Sequence, residues 1–328
     1  MMTQFTNATQ IPLSLAVWLA DDDYDHQDDP NIISATTLLK PLRAIVLARQ
    51  NKELSKTADI SAMIPSRMGS ALHTSIEKSW TSGDLAEILE DLGYPKKIIE
   101  NILVNPKPEE ITEDSICIFM EQRTNKKSGK YIISGKFDFV IQGEIQDFKS
   151  TGVYNYISGS NVQKYIQQGS IYRWLNPDLV TEDHMKIQYI FTDWSSLKAR
   201  TDKNYPTARL VEQRLDLMSL AETDAFIKKI TTEIEALEGL PEKNLPLCTP
   251  EELWQKPDVF KYYKDPAKRA RSTKNFDNYQ DAATRLAADG GVGIIDTIKG
   301  QVVRCRYCEV SGICQQAAGY VADGSLIF

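Results

Sequence analysis

The sequence predicts an α/β or α+β fold with a mixed β-sheet flanked by helices. Three observations carry this. Apolar residues recur at helical spacing from residue 34 to about residue 103. The period then changes to two over residues 115–150, and another helical pattern and another strand follow. The 328 residues are 42% hydrophobic and 25% charged, an ordinary globular composition for one large domain or two modest ones.

Residues 1–30 are polar and acidic, with Asp21-Asp22-Asp23 and Asp28-Asp29-Pro30. They read as an irregular N-terminal arm, in which Ile11 to Leu19 can make one short helix or strand. Residues 31–240 read as the core. Within it, 34–50 is a capped helix start with Pro41 in or near the first turns. Residues 66–80 form a second helix, and 84–103 give one or two short ones. Ser115–Glu121, Lys130–Ile141 and Glu144–Ser150 are expected as successive strands. Thr124–Gly129 is expected as a turn, and Gln142-Gly143 as a tight hairpin. A helix at 161–175 ends at Asn176-Pro177, and Lys186–Thr192 is a further strand. Residues 206–237 give a short strand-like lead and a long helix. Residues 241–328 form a C-terminal segment expected to pack on the core, with a basic-aromatic stretch, a helix near 277–288 and a cysteine cluster.

The hairpin carries chemistry. If Gln142 and Gly143 are its two loop residues, Ile141 faces Glu144 and Asp138 faces Asp147. Lys149 then shares the face of Asp147. Two carboxylates directly across a ladder repel, unless a cation sits between them. Hard oxygen donors of this kind suit Mg²⁺ or Mn²⁺. A nearby ammonium can orient or help deprotonate a metal-bound water and offset developing charge. The plain alternative is a solvated hairpin that happens to carry Asp, Asp and Lys.

Gly69, His73 and Glu77 are spaced at i, i+4 and i+8 on one helical face. Glycine inside a helix costs about 1 kcal/mol against alanine, and it fits best where something must approach closely. His73 can bind a metal through one ring nitrogen while Glu77 orients the other. Equally, His73 can be a packed residue of an ordinary amphipathic helix.

Taken in order, these residues resemble the RecB-type branch of the PD-(D/E)xK nucleases. The motifs are G-x-x-x-H-x-x-x-E from Gly69, G-K-x-D from Gly135 to Asp138, D-x-K from Asp147 to Lys149, and Q-x-x-x-Y from Gln168 to Tyr172. The order and distances fit from residue 69 to residue 172. The opening Ile33–Leu39 also resembles the start of many members, phage-borne ones included. The resemblance implies a restriction-endonuclease-like core. It implies Mg²⁺ or Mn²⁺ bound by His73, Asp138, Asp147 and the backbone carbonyl of Phe148, with Lys149 as the catalytic lysine. Gln168 and Tyr172 would contact DNA or brace the site. Glu121 lies where relatives often carry an acid, and would be a neighbour of the ligands or a ligand to a second metal. Asp147 stands where many relatives carry Glu.

Cys305-x-x-Cys308-x5-Cys314 is a tight trio with Cys248 upstream. Thiolates at such spacing bind zinc or an iron–sulfur cluster. The trio resembles the iron staple of AddB-type and CRISPR-adaptation nucleases, which implies a [4Fe-4S] cluster pinning the ends of the nuclease domain. In those relatives the lone cysteine precedes the nuclease motifs, whereas Cys248 follows them. Here the cluster could fasten only the C-terminal segment. Cys117, in an apolar strand, reads as a core residue.

Phe260 to Lys274 concentrates six cations and three aromatics. Lys268, Arg269 and Arg271 suit phosphates, and the rings offer stacking to unpaired bases. The alternative is a hairpin whose aromatics pack one face. The formal net charge of −7 does not itself point to nucleic acid, but a metal site adds negative charge locally. No apolar stretch is long enough for a membrane span, and the N-terminus does not read as a signal peptide. These features predict a cytoplasmic protein, in a bacterial host cell if phage-encoded, with reduced cysteines.

The expected activity is metal-dependent hydrolysis of DNA phosphodiesters. An exonuclease acting on ends or single strands in phage or bacterial recombination or replication is favoured. The chain has no P-loop, so a helicase or single-strand annealing partner would be a separate polypeptide. The alternatives are a non-catalytic DNA- or protein-binding module and a partner-dependent subunit of a recombination or CRISPR-adaptation complex.

Overall fold

The computed structural model describes residues 3–21, 27, 29–52 and 56–328. In chain order the elements begin β1 (Thr3–Thr6), α1 (Leu13–Ala20), β2 (Ile32–Ser34), α2 (Ala35–Leu38), α3 (Leu42–Gln50), β3 (Lys56–Asp59) and α4 (Ile64–Thr81). Next come α5 (Leu85–Asp91), α6 (Lys96–Asn101), β4 (Ile102–Val104), β5 (Ile116–Met120), β6 (Arg123–Ser128), β7 (Tyr131–Lys136), β8 (Phe139–Ile141) and β9 (Glu144–Thr151). Then follow α7 (Val153–Ser158), α8 (Val162–Leu175), β10 (His184–Phe191), α9 (Ser196–Thr201), β11 (Leu210–Asp216) and α10 (Leu220–Leu237). The last are β12 (Val259–Tyr263), β13 (Lys274–Phe276), α11 (Tyr279–Ala288), β14 (Ile294–Ile298) and α12 (Gln315–Ala322).

The protein is therefore mixed α/β, in two units. One comprises Met1–Leu39 with Glu53–Thr232, the other Lys40–Lys52 with Glu233–Phe328. This corrects the expected boundary near residue 240. The segment bearing α3 belongs with the C-terminal residues, because Ala44, Val46 and Leu47 share one buried cluster with Leu245, Leu253, Val302, Val310, Ala317 and Leu326.

The first unit holds a six-stranded mixed sheet in the order β11-β10-β9-β8-β5-β4, and a three-stranded sheet in the order β2-β7-β6. β9 and β10 run parallel, and β8 and β9 form the expected hairpin with Ile141 opposite Glu144. Gln142 and Gly143 take φ of 50° and 81°, the double positive value that a tight two-residue hairpin requires. Met185, Ile187, Tyr189 and Phe191 alternate into the core along β10. Helix α8 packs on β6, β7 and β11, and α4 lies against β9.

Several local expectations change. Within the described part of the N-terminal arm, β1 pairs with β3 in parallel, and α1 covers Leu13–Ala20. Asp22, Asp23 and Asp28 lie outside the described residues. The start at 34–50 is two helices, with Ser34 accepting the Thr37 N–H as N-cap of α2 and the chain breaking before Pro41. Thr124–Gly129 is mostly strand, because β6 pairs along β7 from Arg123 to Ser128 and Lys126 lies over the Trp174 ring. Most consequential, Lys130–Ile141 is two strands in two sheets. β7 ends at Lys136, β8 begins at Phe139, and Asp138 sits in the break.

The second unit carries a three-stranded antiparallel sheet, β13-β12-β14, with α11 against it. Among the described residues, no helix is long and apolar enough to cross a membrane.

Two glycines give a stability test. A Cβ at Gly135 would overlap Leu175 Cδ1 and come within 3.0 and 3.1 Å of the Tyr172 ring. A Cβ at Gly69 would meet only Ser150 Oγ, at an ordinary 3.7 Å, so the close approach expected there is absent. G135A should cost about 1–3 kcal/mol through overpacking, whereas G69A should gain up to ~1 kcal/mol of helix stability. Opposite shifts in thermal midpoint check this.

Candidate metal centre

The site forms where the chain changes sheets. Between β5 and β6 it leaves the six-stranded sheet through Glu121, and between β7 and β8 it returns through Asp138. The two crossings are joined by the Glu121 N–H donating to the Asp138 carbonyl at 3.1 Å. Glu121 has φ of 52°, a left-handed value uncommon outside glycine and characteristic of functional positions. Helix α4 brings His73 against both carboxylates. One ligand atom from each of His73, Glu121 and Asp138 lies within 4.8 Å of the other two.

Hydrogen bonds fix this arrangement. His73 Nδ1 is 3.5 Å from Asp138 Oδ1, and His73 Nε2 is 3.1 Å from the Phe148 carbonyl oxygen. The Phe148 N–H donates to Asp138 Oδ2 at 3.1 Å. Both nitrogens of His73 are thus engaged, and Glu77 does not orient the ring as expected. Lys136 pairs with Glu121. Asp138 lies one step outside the described β8–β9 ladder, and its carboxylate bonds the β9 backbone rather than pairing with Asp147.

Asp147 is 1% exposed. Its Oδ2 faces Lys149 Nζ at 2.5 Å, yet that oxygen accepts no hydrogen bond of good geometry. Asp147 lies outside the tight trio, whose third ligand is Glu121. The Phe148 carbonyl is adjacent, held by His73. A buried carboxylate oxygen with unused acceptor capacity, beside three clustered ligands, fits a divalent cation.

The electrostatics follow from burial and pairing. Burial pushes the Asp147 carboxyl up to about 6, with Asp138 adding to the rise and Lys149 opposing it. Burial also raises Glu121, against Lys136. Asp138 is held low: burial would raise it, but the hydrogen bond and charge of His73 and the charge of Lys149 prevail. His73 is raised, chiefly by its hydrogen bond to Asp138. Burial works against the Lys149 charge, but Asp147 and Asp138 outweigh it and keep Lys149 an ammonium.

Sequence reasoning missed three contributors. Tyr165, one turn before Gln168, places its ring 5.4 Å from Lys149 Nζ. Lys136, already within the G-K-x-D motif, holds Glu121. Arg43 is described below. Gln168 Nε2 donates to Tyr172 Oη at 2.8 Å, and both side chains are buried. In the C-terminal hairpin, Tyr262 and Tyr263 are buried core residues and cannot stack on bases. Lys268, Arg269 and Arg271 sit in the exposed turn between β12 and β13, with Lys268 paired to Asp265 and Arg269 to Asp296.

The four expected cysteines converge in the second unit. Cys248, Cys305, Cys308 and Cys314 line one cavity with Ala44, Leu47, Leu253 and Val310, and all are free thiols. Gln316 clamps the lone cysteine to the trio: its Oε1 accepts the Cys248 N–H at 2.8 Å, and its Nε2 donates to the Cys248 carbonyl at 2.9 Å. Arg43 donates Nε–H to Cys314 Sγ at 3.3 Å. The cavity thus includes residues from 41–47 as well as the C-terminal segment, beyond the C-terminal fastening expected from the order of the cysteines. Burial pushes Cys248 up to about 12 and Cys305 to about 11. Cys117, on β5, is half-buried and outside this group.

The raised groups give a pH prediction. With folded values above their unfolded ones, Asp147 and His73 favour the metal-free fold at low pH, and this contribution is lost as pH rises through their folded values. The same protons compete with a cation. Mn²⁺ should therefore raise the melting temperature most near pH 8 and least near pH 5.5. D147N should flatten the profile. A Mn²⁺ shift independent of pH in scanning fluorimetry would overturn the assignment.

No family model matches the chain, and no curated protein matches it. Among solved structures, one described as "Crystal structure of SSO0001" is similar, with 18% identity, a TM-score of 0.38, and coverage of 63% of this chain and 78% of that one.

Proposed function

We propose that the protein is a metal-dependent deoxyribonuclease with a PD-(D/E)xK core of the RecB type. The observation that carries this reading is the convergence of His73, Glu121 and Asp138 beside the buried Asp147–Lys149 pair. A Mg²⁺ or Mn²⁺ ion held by His73, Asp138 and Glu121, with Asp147 and the Phe148 carbonyl alongside, would supply Lewis acidity toward a phosphate and lower the pKa of a bound water. Lys149, kept protonated by its two carboxylates, stabilises charge on the phosphoryl oxygens and orients the attacking water; it is not a resting-state base. Tyr165 limits the freedom of that ammonium. Gln168 and Tyr172 keep α8 rigid behind β7.

The same reading assigns the four thiols to a bound metal centre, and we favour a [4Fe-4S] cluster over zinc. The resemblance of the Cys305–Cys308–Cys314 spacing to the iron-staple trio supports the cluster. Soft thiol donors in an apolar cavity suit either centre. The neutral thiols must lose protons on loading.

An exonuclease acting on DNA ends or single strands remains the favoured form. The test is cleavage of 5′- and 3′-labelled linear DNA and a circular control by anaerobically purified protein with Mn²⁺. K149A and D138A should each lower the rate by at least about 100-fold with unchanged circular dichroism. Sparing of the circle supports an exonuclease, and cutting of it an endonuclease. Full activity in either variant overturns the site. A wild-type protein inert on every DNA form favours a binding module or a partner-dependent subunit.

A further inference from the structure

Arg43 lies in α3, inside the run Leu42-Arg43-Ala44-Ile45-Val46-Leu47, and is only 3% exposed. Every nitrogen of its guanidinium is spent. Nε–H donates to Cys314 Sγ at 3.3 Å, Nη1 donates to the carbonyls of Glu242 and Leu245 at 3.3 Å each, and Nη2 meets Glu242 Oε1 at 2.5 Å. Glu242 Oε1 also accepts the N–H of Gln315, the residue after Cys314. A cation in this apolar cavity is costly unless fully paired, and packing alone would place an aliphatic residue here. The fork geometry of arginine satisfies a sulfur, two carbonyls and a carboxylate at once, which lysine cannot do.

We propose that Arg43 is a positioning residue of the cysteine centre, donating a hydrogen bond to the metal-bound sulfur of Cys314 and thereby raising the reduction potential of the centre. This rests on the cluster reading given above. Hydrogen bonds to the sulfurs are among the determinants of iron–sulfur potentials. An N–H donor stabilises negative charge on sulfur, and the reduced cluster carries one more electron than the oxidised one. The donor therefore favours the reduced form, and its loss lowers the potential. The bond also joins the helix at 42–50 to a ligand more than 250 residues later, so the identity of residue 43 is felt in the electronic state of the centre.

The experiment is a dye-mediated redox titration of anaerobically purified full-length protein, with iron and sulfide content measured on the same samples. R43K keeps a charge for Glu242 but has no Nε–H fork, and should hold iron while titrating at lower potential. R49A, a change on the same helix as Arg43, removes the ion pair of Arg49 with Glu238 and should titrate as wild type, which separates the sulfur contact from general loosening of α3. A wild-type potential in iron-loaded R43K overturns the proposal. If R43K loses its iron, E242Q is titrated instead: it retains Arg43 but weakens its anchor, a smaller downward shift is expected, and no shift overturns the proposal. Wild-type protein that binds no iron overturns the cluster reading itself and this proposal with it, an outcome distinct from an iron-loaded variant with unaltered potential.

Discussion

A backbone hydrogen bond from the Glu121 N–H to the Asp138 carbonyl holds together the two places where the chain changes sheets. Regular strands would send alternate side chains to opposite faces. At these crossings the alternation lapses, and two carboxylates are free to converge on a histidine from a helix. The rest of the centre is arranged around that point. β9 supplies the Phe148 amide and carbonyl, and the hairpin at Gln142-Gly143 fixes which residues of β9 arrive there. The positive φ of Glu121 is the local cost of the geometry.

Each acid of the centre has a basic partner of its own: Glu121 has Lys136, Asp138 has His73, and Asp147 has Lys149. Pairing of this kind keeps buried charges tolerable, since an uncompensated one costs several kcal/mol. It also means that a cation entering the trio displaces the Lys136 ammonium from Glu121 and competes with the proton of His73. The Asp147–Lys149 pair is the most deeply buried of the three, and its strand neighbours Ile145 and Val140 are fully enclosed.

Much of this was legible in the sequence because it is local. The hairpin register follows from its two loop residues, and counting outward puts Asp147 and Lys149 on one face of β9; the joining of His73 to that site was implied only by the family resemblance. The sheet change was not legible, because Lys130–Ile141 contains no proline and no two-residue turn pair that would divide it into two strands. The break exists only because β7 is claimed by β2 and β6 while β8 is claimed by β5 and β9. The convergence of Glu121 on His73 and Asp138 therefore had no local sign. The union of residues 40–52 with the cysteine segment was equally hidden, since it depends on partners far along the chain. Its one local sign was a lone arginine within an apolar run.

That union affects how the molecule comes into being. Helix α3 emerges from the ribosome long before the residues that bury Ala44, Val46 and Leu47. At ordinary rates of about 5–20 residues per second, roughly 180 residues of the other unit must be made before the second unit resumes at Glu233. For roughly ten seconds or longer, the apolar face of α3 and the side chain of Arg43 await their native partners. The first unit can meanwhile pair its own strands across a gap in its sequence. A fragment ending near residue 240 would keep α3 permanently in that waiting state, so the second unit is completed only by the last stretch of synthesis.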